Sequence, residues 1–253
     1  MARQEARQDR IEGARAVIEA IRAGRRRVLE VTLPPEGPGH GPRQGLEELE
    51  RLVREAGIPT RSGAAAGAAG QGVVASAEPF PEESFEEVLI DDRPRFLVAL
   101  DRVTDVGNLG SVARSAEAAG VTALVLEQRR APPIGPGALR ASAGALEHLR
   151  VGRTPNLRRA LELAAAEGLS VLVAEAGGRP IEAIPPDLVT GELVWVFGSE
   201  ERGTRARVRE LATEVVGIPL SGAIQALNVG AAAAYLLLRT AELRRAGGEA
   251  KIS

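Results

Sequence analysis

The sequence predicts an α/β protein of two unequal parts, a small N-terminal α/β unit followed by a larger unit on a parallel sheet. Three observations predict it. From Arg95 onward, runs such as 96–100, 121–126, 170–174 and 193–197 are apolar without alternation and are spaced by helical stretches, the pattern of strands covered on both faces. An acidic stretch at 82–93, flanked by Pro81 and Pro94, reads as a linker. Residues 229–238 are apolar around every helical face, which suits a buried helix. That run is too short to span a bilayer.

The polar residues 1–10 are expected to fray. In 11–23, Ala14, Val17, Ile18 and Ile21 recur at helical spacing, and Gly24 ends the run. The cluster Arg25, Arg26 and Arg27 then leads into a strand at 28–33. Pro34, Pro35, Pro38 and Pro42 make 34–45 a loop. A second amphipathic helix covers 46–56, the Ala/Gly tract 63–70 should be mobile, and 71–77 reads as a strand. The expected division is 1–81, a linker at 82–93, and 94–253. In the larger unit strands are expected at 96–100, 121–126, 149–152, 170–174, 193–197 and 214–220. Helices are expected at 108–119, 138–147, 157–167, 204–211 and from Asn228 to Arg245.

Composition excludes several chemistries. There is no cysteine, hence no disulfide framework and no thiolate nucleophile or metal ligand. His40 and His148 are the only imidazoles, so a histidine metal site or a serine–histidine triad is poorly supported and no metal is expected. No apolar run is long enough for a membrane span or signal peptide, so a cytoplasmic protein is expected. A formal charge of −2 argues against a generally basic coat, though not against a local patch.

Ligands of parallel sheets bind beyond the carboxyl ends of the strands. Three strand-to-helix loops there are polar and glycine-bearing: 101–110, 198–203 and 221–228. Singly, each has a plain structural reading. Asn108 and Asn228 suit helix N-caps, Arg114 can pair with Glu117, and Glu200 can be a solvated acid. Together they should converge on one end of one sheet. Both common nucleotide motifs, G-x-G-x-x-G and G-x-x-x-x-G-K-[ST], are missing.

Asn108-Leu-Gly-Ser-Val-Ala-Arg114, with Ser-Ala-Glu117 after it, resembles motif 1 of the SpoU/TrmH family of RNA ribose 2′-O-methyltransferases. Val196-Phe-Gly-Ser-Glu200-Glu-Arg-Gly203 resembles motif 2, and Ile218-Pro-Leu-Ser-Gly222 through Leu227-Asn228-Val229 resembles motif 3. Residues 12–20, 71–75 and 141–148 resemble the branch that modifies large-subunit ribosomal RNA. The resemblance implies a trefoil-knotted catalytic domain, a homodimer, and S-adenosyl-L-methionine (AdoMet) as methyl donor. It implies cofactor contacts at Gly198, Ile218, Leu227 and Asn228, and a catalytic group of Arg114, Asn108, Glu200 and Asn228. Arginine stays charged, so Arg114 suits gripping a phosphate better than taking a proton. The first unit becomes an RNA-binding domain, with Arg25, Arg26 and Arg27 as its candidate phosphate contacts. A guanosine of 23S rRNA is the expected target.

The chain departs from the pattern at Ala226, where the family usually has serine, and at Gly230, where serine is common. Ser221 and Gln225 are candidates to compensate. Ala226 keeps a second reading open, an RNA- or ribosome-binding factor without transfer; a tRNA target is another.

Overall fold

A computed structural model describes residues 8–35, 45–63, 72–90, 94–200, 202–223 and 226–249. His40, Gln71, Gln225 and the Ala/Gly tract from 64 onward lie outside them. The elements are β1 (Asp9–Glu12), α1 (Ala14–Ala23), β2 (Val28–Leu33), α2 (Leu46–Glu55), β3 (Thr60–Ser62) and β4 (Val74–Ala77). Next come β5 (Glu82–Ser84), α3 (Phe85–Leu89), β6 (Phe96–Asp101), α4 (Val106–Ala118), β7 (Ala123–Glu127), α5 (Pro136–Ala141) and a 3-10 turn (Ala145–Glu147). Then follow β8 (Arg150–Thr154), α6 (Leu157–Ala166), β9 (Ser170–Pro180), a second 3-10 turn (Ile181–Ala183) and α7 (Pro186–Thr190). The last are β10 (Leu193–Gly198), α8 (Ala206–Arg209), β11 (Glu214–Gly217) and α9 (Val229–Glu249).

The chain packs as two units, Met1–Pro81 with Pro133–His148, and Glu82–Pro132 with Leu149–Ser253. The first has a four-stranded sheet in the order β1-β4-β2-β3. Ile11, expected to start a helix, is instead a fully buried strand residue opposite Ala75, and Gly13 at φ 94° turns the chain into α1. Asp9 and Arg10, expected to fray, belong to that same strand.

The expected division is corrected in two places. Residues 133–148 fold with the first unit because their polar groups are satisfied there. Glu147 is 1% exposed and accepts from Arg26 Nε at 3.1 Å, while His148 Nε2 lies 2.9 Å from Glu19. The expected helix 138–147 breaks after Ala141, where Ala143 and Gly144 take φ of 51° and 87°. The stretch expected as a linker carries β5 and α3 of the second unit. Its acids mask a helix face: Phe85, Val88 and Leu89, at i, i+3 and i+4, are all buried. Ser84 and Glu87 close a capping box at its start.

The second unit is a seven-stranded sheet, β11-β9-β10-β6-β7-β8-β5, parallel at every pairing. One face buries Leu97, Ala99, Val125, Leu161, Val171 and Val196. On the other, Trp195 stacks on Phe197 with ring centroids 5.8 Å apart, and its indole N–H donates to Thr240 of α9 at 3.1 Å. α9 packs along α4. It is not buried all round as expected: Ala233, Leu236 and Leu237 face inward, whereas Tyr235 and Leu238 are 42% and 44% exposed. β11 stops at Gly217, so Ile218, Pro219 and Leu220 leave the sheet at its carboxyl edge.

Candidate active site

Chain order reverses between β6 and β10, neighbours in the sheet, which puts a crevice beyond their carboxyl ends. Gly198 ends β10, and a Cβ added there would fall 2.2 Å from the carbonyl carbon of Gly203. Only glycine allows this approach. Gly203 N–H donates to Ser199 O at 2.8 Å, closing a tight turn that presents Glu200. The foot of the turn is tied down by Arg205. Its backbone N–H donates to Asp101 at 2.7 Å, and its guanidinium donates to Glu127 at 2.9 Å.

The three polar loops meet. Asn108 Nδ2 donates to Glu200 Oε2 at 3.1 Å, and Asn228 Nδ2 donates to Asn108 Oδ1 at 3.0 Å and also to Glu200 Oε1. Asn228 Oδ1 accepts from Gly230 N–H at 2.8 Å, capping α9 as its sequence position suggested. Asn108 is not an N-cap. Asp105 caps α4, accepting from Asn108 N–H at 2.7 Å, which leaves the Asn108 side chain free to bridge the other two loops. Glu200 can only accept and each amide has both a donor and an acceptor, so the web fixes both amide orientations.

A cavity of about 760 Å³ opens beside this web, within the usual size range of small-molecule sites. Gly198, Glu200, Ile218, Ala226 and Leu227 all line it. Sequence reasoning missed a further wall, the end of β9 at 174–178. There Gly178 and Gly217 touch so closely that a Cβ on either would meet the other's backbone within 2.7 Å. The paired glycines Gly177-Gly178 after an apolar strand were the available signal. Among the described lining residues the only charged ones are Glu175 and Glu200. Glu175 has Arg209 Nε at 2.7 Å. An apolar cleft with glycine walls and no lining cation suits a nucleoside bearing a positive sulfonium.

Arg114 is exposed on α4, and among the described residues its guanidinium has no ion pair or hydrogen bond; the plain alternative, a pair with Glu117, is not formed. Ser221 is exposed and is not among the lining residues. Arg26 leaves the set of candidate RNA contacts. It is 6% exposed, donates to Glu147 and to Glu78 O at 3.0 Å, and stacks over Phe80 at 5.3 Å. Arg27 is exposed beside Glu78, at 3.5 Å, and Arg25 is half-buried.

Residues 95–238 match the SpoU rRNA methylase family. The chain belongs to that family. As a SpoU methylase it is an AdoMet-dependent RNA methyltransferase, and the glycine-walled cavity fits that donor. An uncharacterized tRNA/rRNA methyltransferase of Mycolicibacterium gilvum is 33% identical over 248 residues, 92% of this chain and 76% of the relative. The 23S rRNA (guanosine-2′-O-)-methyltransferase RlmB of Photorhabdus laumondii is 30% identical over 202 residues, 79% of this chain and 82% of RlmB. The match to an uncharacterized tRNA/rRNA methyltransferase of Mycolicibacterium vanbaalenii spans only 56% of that relative's length. Among solved structures, the SpoU methyltransferase AviRb of Streptomyces viridochromogenes superposes with a TM-score of 0.75 at 25% identity, covering 95% of this chain and 91% of AviRb.

Proposed function

We propose that this SpoU methylase transfers the methyl group of AdoMet to the 2′-hydroxyl of a guanosine ribose in 23S rRNA. The observation that carries the reading is the Asn108–Glu200–Asn228 web at the lip of the cavity. The RlmB likeness supports the choice of target. Bound AdoMet would supply an electrophilic methyl on a positive sulfur. The chain's task is then to orient the acceptor, since placing two reactants correctly supplies much of the rate of such a transfer. Gly198, Ile218 and Leu227 hold the donor through backbone groups, and Asn228 ties their loops together. Asn108 and Glu200 face the acceptor ribose. Arg114 grips the adjoining phosphate through its fork and places the 2′-hydroxyl in line with the methyl, while that phosphate assists proton removal.

The first unit presents RNA to the site, with Arg25 and Arg27 as its contacts. The catalytic unit is knotted through its last segment and works as a cytoplasmic homodimer. The apolar face of α9 containing Ala231, Tyr235 and Leu238 supports a partner copy there. No described helix is long and apolar enough to cross a membrane.

Ala226 in the cavity wall favours a second reading, an RNA-binding factor without transfer. A tritium-transfer assay on an unmodified large-subunit transcript separates the two. Label recovered in 2′-O-methylguanosine is expected, and Arg114→Ala should abolish it with AdoMet affinity largely kept. Cofactor binding without transfer by the unsubstituted protein sinks the enzyme reading, and label recovered from a tRNA instead moves the target.

A further inference from the structure

In the second unit three arginines at the amino edge of the sheet are held by internal partners. Arg95, just before β6, pairs with Glu192 at 2.5 Å. Arg150, which opens β8, pairs with Glu83. Arg244 donates to the carbonyls of Val189 and Gly191. At the carboxyl edge Arg102, Arg153 and Arg205 are paired in the same way, but three other arginines there are not. Arg202 follows β10, Arg129 follows β7, and Arg159 lies in the first turn of α6, just after β8. All three are exposed, and among the described residues none of their guanidiniums has an ion pair or hydrogen bond.

Arg159 is also misplaced for stability. The first turn of α6 holds no acid, so the cation adds to the positive end of the helix dipole. An anion from outside would turn that placement into an attraction. Sheet order sets the geometry: β10, β6, β7 and β8 are consecutive neighbours, so the outer two strands are three spacings apart, about 14 Å. The row begins at the cavity, because Arg202 lies between two of its lining residues, Glu200 and Gly203.

We propose that Arg202, Arg129 and Arg159 form a track for the RNA backbone, each gripping a phosphate as the strand runs from the cavity across the ends of β7 and β8. The track rests on the functional reading above and extends it: the catalytic unit holds the RNA flanking the target itself, by charge and without reading bases. An acidic protein surface is a poorer occupant, since the row starts where the acceptor ribose must sit.

The test is fluorescence anisotropy with an unmodified large-subunit rRNA transcript across a salt series. It compares the unsubstituted protein with Arg129→Gln/Arg159→Gln and with Arg202→Gln. Calorimetry with S-adenosylhomocysteine and thermal melting report the fold. Each lost phosphate contact should lower the slope of log affinity against log salt by about 0.7, hence by about 1.4 for the double variant. Binding should weaken at least tenfold at low salt, with S-adenosylhomocysteine affinity unchanged and melting no lower, since loss of the Arg159 cation relieves the start of α6. Lysine at the same positions should keep the slope. An unchanged slope in both glutamine variants, or its loss in the lysine variants, overturns the track. If the unsubstituted protein neither binds nor methylates the transcript, the functional reading itself fails, and the track with it.

Discussion

At Gly230 any side chain collides: a Cβ there would lie 2.3 Å from Ser111 Oγ and 3.1 Å from Asn228 Oδ1. The space that a serine at 230 would occupy is filled from the facing helix by Ser111. Gly230→Ala should therefore cost roughly 1–3 kcal/mol by overpacking. Ser111→Gly in the same chain should recover most of it, and urea denaturation of the two single variants and the double gives the coupling energy. Equal losses in the single Gly230→Ala variant and the double would show that Ser111 is not the obstacle. The sequence marked 230 as unusual but could not point to 111, because the partner is 119 positions away on another helix. Asn108, Glu200 and Asn228 were legible for the opposite reason. Their chemistry is local to three glycine-marked turns, and only their convergence needed the fold. Arg26 was misread because an arginine cluster in sequence carries no sign of which member turns inward.

At the level of elements, the turn that presents Glu200 is held by a buried carboxylate. Asp101 is fully buried at the end of β6, 2.7 Å from both the backbone nitrogen and Nε of Arg205. Asp101→Ala would leave the Arg205 backbone N–H without its acceptor while Glu127 still pairs the guanidinium, a loss of about 1–3 kcal/mol. Chemical denaturation should show a loss of that size, together with weaker AdoMet binding; a cost below 1 kcal/mol would remove Asp101 from the turn's support. At the opposite edge, Arg95 hydrogen-bonds Glu192 and holds its carboxyl below the usual carboxylate range. Stability from this pair is present above the ordinary carboxylate pKa and is lost as pH falls through the depressed one. Glu192→Gln should flatten that acid limb of the stability profile, and an unaltered limb would assign the loss to other acids. Strand positions were readable because buried parallel strands are apolar throughout. The short β3, β5 and α3 were not, since their sequences are charged and tertiary pairing decides them.

For the whole molecule, the decisive departure from the linear reading is that 133–148 fold with the N-terminal unit. A long chain crossing leaves no mark in composition; side-chain pairs such as Arg26 with Glu147 and His148 with Glu19 declare it. Glu147→Ala should loosen that unit alone. Hydrogen exchange should quicken at Ile11 and Val31 while Val98 and Val196 stay protected, and uniform quickening would instead make the two units one cooperative body. The function assigned to the molecule depends on three distant turns forming one methyl-transfer site that acts on ribosomal RNA. Ribose methylation mapped across the large-subunit rRNA of cells with and without this protein tests that claim most directly. One 2′-O-methylguanosine should vanish with the gene, return with the unsubstituted protein and stay missing with Arg114→Ala. A map that is identical in all of these cells contradicts the account.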